Sequence, residues 1–185
     1  MINGELILLR DKRLGDAERD FSWRVDEELS ALDATFPLKI SYDNYLRIYK
    51  DELRYPVPWS KRFAVETHEG TVIGNCMYYD LDTSKQQAEL GIMIGDKDYW
   101  SQGYGTDVVK TLLRHLFTTT SLNRVYLHTL TWNIRAQKSF EKCGFVAAKE
   151  VHRHGYDFIL MEIFKDVWES LGTPGNKDLD NPPHS

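Results

Sequence analysis

Asp98-Tyr99-Trp100-Ser101-Gln102-Gly103-Tyr104-Gly105-Thr106-Asp107 decides how this chain is read. Apolar residues follow at Val108, Val109, Leu112, Leu113, Leu116 and Phe117. That spacing predicts a strongly amphipathic helix beginning near Thr106. Upstream, residues 88–94 carry an apolar run of strand length, so the order is strand, glycine-bearing turn, helix. Gly103 and Gly105 let backbone amides crowd toward a ligand, and the unsatisfied N–H groups of a helix start suit a phosphate. A tight turn that binds nothing is the competing reading. Two nucleotide motifs fail on residues: no Gly-Lys-Ser/Thr closes the turn, and neither a third glycine nor an acid within 123–130 completes a dinucleotide fingerprint.

Working outward, residues 123–130 alternate, with Val125, Leu127 and Thr129 on one side, and predict a strand. Asn133 then starts a second helix as a good N-cap, and Gly144 ends it. Ala136, Phe140 and Cys143 share one face of that helix, and the lone Cys143 reads as a small buried hydrophobe. Two more strands are expected at 144–151 and 156–164 with Gly155 at their turn, then a short closing segment at 166–171. Upstream, residues 62–67 and 71–79 read as a hairpin with Gly70 at positive φ, extending the meander to 88–94. Tyr55-Pro-Val-Pro-Trp59 breaks any helix. Before it, Tyr42, Tyr45, Leu46, Tyr49 and Leu53 fall at helical spacing behind a Ser41 cap, a stripe read as core packing. Residues 16–32 are helix-permissive, and 5–10 form a short strand. The segment 172–185, with three prolines and no apolar period, is expected to be disordered.

A length of 185 residues favours one domain, placed at 1–171. The 42% hydrophobic and 28% charged content permits a core. With 23 Lys plus Arg against 28 Asp plus Glu, the cationic footprint of a nucleic-acid binder is missing. Cys76 and Cys143 are the two cysteines and form no Cys-x-x-Cys, which argues against a disulfide scaffold or a zinc site. The charged N-terminus fits neither a signal peptide nor a membrane span. A cytoplasmic protein is expected, without metal, nucleic-acid or membrane partners, and a homodimer is allowed.

The segments 99–106 and 133–145, with the strand between them, resemble the GNAT superfamily of acyl-CoA-dependent N-acetyltransferases, in particular the ribosomal-protein-alanine branch. The resemblance covers about 62–162. It implies an α+β fold with a mixed, mostly antiparallel sheet, splayed at its centre and flanked by helices. Coenzyme A would enter where strand 88–94 parts from strand 123–130. Backbone amides of Gln102, Gly103, Tyr104, Gly105 and Thr106 would hold its pyrophosphate, and the pantetheine arm would pair with the backbone of Met93 and Ile94. Asn133 would line the coenzyme side of the later helix, and Phe140 would lie near the sulfur. Glu89, similar to the strand glutamate of several relatives, would be the base for the incoming ammonium; a solvated strand-end carboxylate is the plain alternative. No histidine has a partner at a diagnostic spacing, and only mid-strand His128 stays in reserve.

The chain departs from the pattern at Trp100, where many relatives carry Gln or Arg, and at Phe140, where many carry a Tyr proposed to protonate the thiolate. A thiolate whose conjugate thiol has a pKa of about 8.5 can depart and take a proton from water. The implied function is acetyl transfer from acetyl-CoA to a primary amine in a ternary complex. The acceptor, a protein N-terminus, polyamine, amino sugar or antibiotic, stays open. Its pocket is expected from the N-terminal helices, residues 55–59 and the turn near Gly155. Two rivals remain, a non-catalytic acyl-CoA-binding module and a plain interaction domain.

Overall fold

In the computed structural model, which describes residues 1–172, Gly70 holds φ at +88° and turns the chain between β3 (Lys61–Thr67) and β4 (Val72–Asp82). β5 (Gln87–Ile94) continues the meander. With β1 (Ile2–Asn3), β2 (Ile7–Asp11), β6 (Arg124–Leu130), β7 (Val146–Arg153) and β8 (Tyr156–Phe164), these strands make one eight-stranded sheet in the order β1-β2-β3-β4-β5-β6-β8-β7. Every neighbouring pair is antiparallel except β5 and β6. That parallel pairing covers Gln87↔Arg124, Ala88↔Val125 and Glu89↔Tyr126, after which β5 runs on to Ile94 without it. The expected central splay therefore begins at Glu89.

α4 (Tyr104–Thr119) fills the crossover from β5 to β6 and buries Val108, Leu112, Leu113, Leu116 and Phe117 against Ile7, Leu9, Val65, Leu90 and Leu127. It starts two residues earlier than the apolar spacing suggests, because Gly103 takes the cap position. Asp107, in its first turn, accepts the amides of Glu5, Leu6 and Ile7 at 3.1, 2.8 and 3.1 Å. The N-terminal strands are thereby tied to the start of α4. α5 (Ile134–Glu141) and α6 (Lys165–Ser170) are the last two helices among the described residues, with Trp168 against Phe117 at 5.4 Å.

α1 (Ala17–Val25), α2 (Glu27–Leu32) and α3 (Tyr42–Arg54) precede the meander. The single helix-permissive run over 16–32 is broken at Asp26, whose extended backbone lets its side chain cap Leu29 N at 2.8 Å. Ser41 caps α3 as expected, its hydroxyl accepting from Asn44 N. The aromatic stripe is only half core: Tyr49 is buried and donates to Asp20 at 3.0 Å, while Tyr42 and Leu53 reach solvent.

A buried polar network anchors α1 to the sheet. Arg10 grips Asp16 with two bonds of 2.8 Å and Glu66 with one of 2.5 Å. Lys12 reaches Asp20 at 2.6 Å and Asn75 at 2.5 Å. Buried cations persist only when so paired. The tail expectation for 172–185 lies, from 173 onward, outside the described residues.

Candidate active site

The turn before α4 is built from two left-handed residues, Ser101 (φ +60°) and Gly103 (φ +92°). The first intrahelical bond runs from Asp107 N to Gly103 O at 3.0 Å, so the amides of Tyr104, Gly105 and Thr106 have no helical acceptor. Gly103 is required by its backbone angle, since a Cβ there would meet only Leu6 Cδ1 at 3.7 Å. Gly105 differs from expectation: its helical backbone needs no glycine. A Cβ there would stand 3.9 Å from both Ile94 Cγ1 and Ser139 Oγ. What glycine provides at 105 is open space.

That space belongs to a cavity of about 380 Å³ between β5 and α5, lined by Ile92, Met93, Ile94, Gly103, Gly105, Thr106, Asn133 and Phe140 among others. The side chains of Gln102 and Tyr104 do not join its wall. Gln102 turns its carboxamide back onto the carbonyl of Asp98, and Tyr104 packs edge-on against Tyr99 at 5.1 Å. Only main-chain groups could serve a ligand at these two positions. Asn133 is both wall and cap, accepting Ala136 N at 3.2 Å. Thr106 and Ser139 hydroxyls meet at 2.9 Å and lock α4 to α5.

Trp100 has a larger part than its mention as a family departure implied. Its indole N–H donates to the carbonyl of Ile94 at 2.7 Å, and the Arg135 guanidinium lies 3.9 Å from its ring centroid. The indole thus shares the Ile94 carbonyl, one of the groups expected to pair with the pantetheine arm, and leaves it a second lone pair. Arg135, Lys138 and Lys142, which the sequence reading does not single out, also line the cavity. Their i, i+3, i+7 spacing on a helix already assigned to the coenzyme side was the available signal. Open amides, glycine-made space and three cations suit the phosphates of a coenzyme A. Phe140 borders the cavity while packing on Phe145 at 6.0 Å. Cys143 is buried, its thiol pushed up to about 12 by burial, which fits the inert role assigned to it.

The acid–base candidates lie on the other face of the sheet. Glu89 is 3% exposed, which overturns the solvated strand-end alternative. Its Oε1 lies 2.7 Å from His128 Nδ1 and 3.7 Å from Arg153 Nη2. His128 thus has a partner, 39 residues away in sequence and so invisible to any spacing rule. Tyr79 faces Glu89 across β4 and β5; burial and then the Glu89 charge raise its hydroxyl well above the ordinary value. Tyr126 is raised for the same two reasons.

A second cavity, of about 470 Å³, is lined by Tyr45, Tyr49, Tyr79, Gly91, Asp20 and Glu52, and shares Asp33, Ile92 and Met93 with the first. β5 beyond Glu89 thus stands between two hollows. A third, of about 830 Å³, lies under Tyr55, Pro56, Val57 and Pro58 and meets the second at Tyr49, Glu52, Arg62 and Met77. Among the described residues no cluster of three His, Cys, Asp or Glu could hold a metal ion, and no helix is long and apolar enough to cross a membrane.

The family described as Acetyltransferase (GNAT) domain matches residues 7–146. This chain belongs to the GNAT acetyltransferases. Among its relatives, the spermidine N(1)-acetyltransferase of Vibrio cholerae serotype O1 is 26% identical over 106 residues, covering 57% of this chain and 60% of that protein. A probable spermine N(1)-acetyltransferase of Bacillus subtilis subsp. natto is 29% identical over 101 residues, covering 52% and 66%. The matched stretch is thus less than two thirds of the length of either relative. These are polyamine acetyltransferases rather than members of the ribosomal-protein-alanine branch. The crystal structure of the Vibrio cholerae spermidine N-acetyltransferase with CoA and spermine superimposes with a TM-score of 0.79 at 21% identity, covering 89% of this chain and 98% of that one. An aminoglycoside acetyltransferase in complex with coenzyme A gives 0.73 at 15% identity, covering 89% and 98%. These two likenesses establish the GNAT fold.

Proposed function

We propose that this GNAT protein transfers the acetyl group of acetyl-CoA to a primary amine in a ternary complex, and that the acceptor is an alkyl polyamine. The observation that carries this reading is the parting of β5 from β6 at Glu89, with a phosphate-suited cavity and a second, tyrosine-walled cavity meeting at Ile92 and Met93. Acetyl-CoA would lie in the first, its phosphates on the amides of 104–106 and the cations of α5. Acceptor amine would enter from the second. The ammonium loses one proton, its nitrogen attacks the thioester carbonyl, the C–S bond breaks and the amide sheds a second proton. One of the two protons neutralises the thiolate and the other leaves to solvent. Glu89 supplies the negative charge that favours the first proton transfer. With Phe140 beside the cavity, water protonates the thiolate.

Tyr45, Tyr49 and Tyr79 with Glu52 and Asp33 give a wall that suits a cationic alkyl chain. The polyamine relatives point the same way. A protein N-terminus, implied by the ribosomal-protein-alanine resemblance, is the rival acceptor. Thiol release from acetyl-CoA, measured with spermidine, spermine, an alanine-initiated peptide and an aminoglycoside, ranks them: spermidine or spermine should give the largest kcat/KM. Preference for the peptide would replace the acceptor class, and CoA binding without release on any amine would leave an acyl-CoA-binding module. A cytoplasmic setting agrees with this chemistry. Sedimentation of the same preparation tests for the homodimer.

A further inference from the structure

From the packing around Glu89 we infer that His128 is the proton acceptor for the incoming amine and that Glu89 is its positioning carboxylate, a pairing that rests on the acetyltransferase reading above. Glu89 Oε1 is 2.7 Å from His128 Nδ1; a carboxylate at that distance pairs with an N–H on Nδ1, and the ring nitrogen left to take a proton is Nε2. A carboxylate is acceptor-only when ionised, and this geometry makes it orient the ring and stabilise the imidazolium. Exposure favours the same order: the His128 side chain retains 9% against 4% for Glu89.

The surroundings hold the pair in place. Tyr126 and Phe158 stand edge-on to the imidazole with centroids at 6.0 and 6.2 Å. Facing Glu89 are Tyr79 from β4 and Arg153 from the end of β7, the latter 3.7 Å away and lying over the Phe158 ring. Asp80 and Arg124 place charge near the Tyr126 hydroxyl beside the pair. Glu89 is the last β5 residue paired with β6, so the imidazole two residues further along β6 sits where the strands have begun to part. In the step assigned here, the acceptor ammonium passes one proton to Nε2, the free amine attacks, and the imidazolium returns that proton to solvent.

His128→Asn separates the two possible bases. Asparagine keeps an N–H near the Nδ1 position, able to hold Glu89, and removes Nε2. With acetyl-CoA and whichever amine the wild type turns over best, the variant should lose roughly 100-fold or more in kcat, within the range of general-base loss. CoA affinity should be unchanged, and the rise of kcat with pH should disappear. A His128→Asn enzyme within about 3-fold of wild type would return the proton-accepting role to Glu89. Nitrogen-15 spectra of the His128 ring give a readout besides activity: the Nδ1–H tautomer is expected, and the Nε2–H tautomer would overturn the assignment. A wild type that acetylates no amine removes the proposed function itself, whereas an active wild type with an indifferent His128→Asn removes only this pair.

Discussion

The proposed coenzyme cradle and the proposed acid–base cluster are built in opposite ways. The cradle is local: its amides, its left-handed turn and its open space come from residues 101–106, closed by one side of α5. The cluster is assembled from four strands, with Tyr79, Glu89, His128 and Arg153 brought together by sheet register. A backbone site follows from the residues that make the backbone unusual. A side-chain site in a sheet follows from which strands are neighbours, which a single sequence states only indirectly.

If the two regions are separable, each should break alone. Gly105→Val is the cleanest break of the cradle, because the position has an ordinary helical backbone and 3.9 Å to its nearest neighbours, so folding survives. The branched side chain would occupy the phosphate space, and CoA binding by calorimetry should weaken about 1000-fold, roughly 4 kcal/mol. An unchanged affinity in a folded variant would put the coenzyme elsewhere. Glu89→Gln is the reverse: turnover should fall about 100-fold below pH 8, near 2.7 kcal/mol, with CoA affinity intact and partial recovery at high pH where free amine is plentiful. Weakened CoA binding in that variant would show that the two regions are coupled.

The same contrast explains what was legible beforehand. Element order, the Gly70 and Gly155 turns and the Ser41 and Asn133 caps rest on local signals, the splay on the family resemblance, and the structure bears them out. Asp26 was passed over because capping competes with helix continuation, and a polar run gives no period by which to judge. At Trp100 the sequence shows only a departure from the family pattern, since nothing local reveals an indole bond to Ile94 six residues back. The Glu89–His128 contact depends on β5 and β6 lying parallel across a helical crossover, and no spacing rule encodes it.

A third effect, smaller in size, concerns the buried ion network that holds the start of α1 to the sheet. Burial pushes the Asp16 carboxyl up, but the Arg10 guanidinium, the Arg13 amide and nearby Lys12 outweigh it and hold it below its ordinary value. A depressed native value contributes stability that is complete above the unfolded value near 4 and is lost as pH falls through the native one. Asp16→Asn should therefore cost about 2 kcal/mol at pH 7 in denaturant unfolding and flatten the acid limb below about pH 4. CoA affinity should stay constant. An unaltered acid limb would mean that other carboxylates govern acid unfolding, and a changed affinity would tie α1 to the cradle.

Phe140→Tyr gives the smallest expected effect and the finest division between packing and chemistry. The ring is 7% exposed and leans on Phe145, yet its helix face also borders the cavity shared with Met93 and Gly105. A hydroxyl added toward the packed side would be buried without a partner and cost about 1 to 3 kcal/mol. Directed into the cavity, it reaches water or the coenzyme sulfur, and the melting temperature should hold while turnover stays level or rises modestly as the departing thiolate gains a donor. Cavity contact favours the second result. An unchanged CoA affinity with a clearly lowered melting temperature and no gain in rate would place the thioester away from Phe140, leaving α5 to serve the phosphate end of the coenzyme alone.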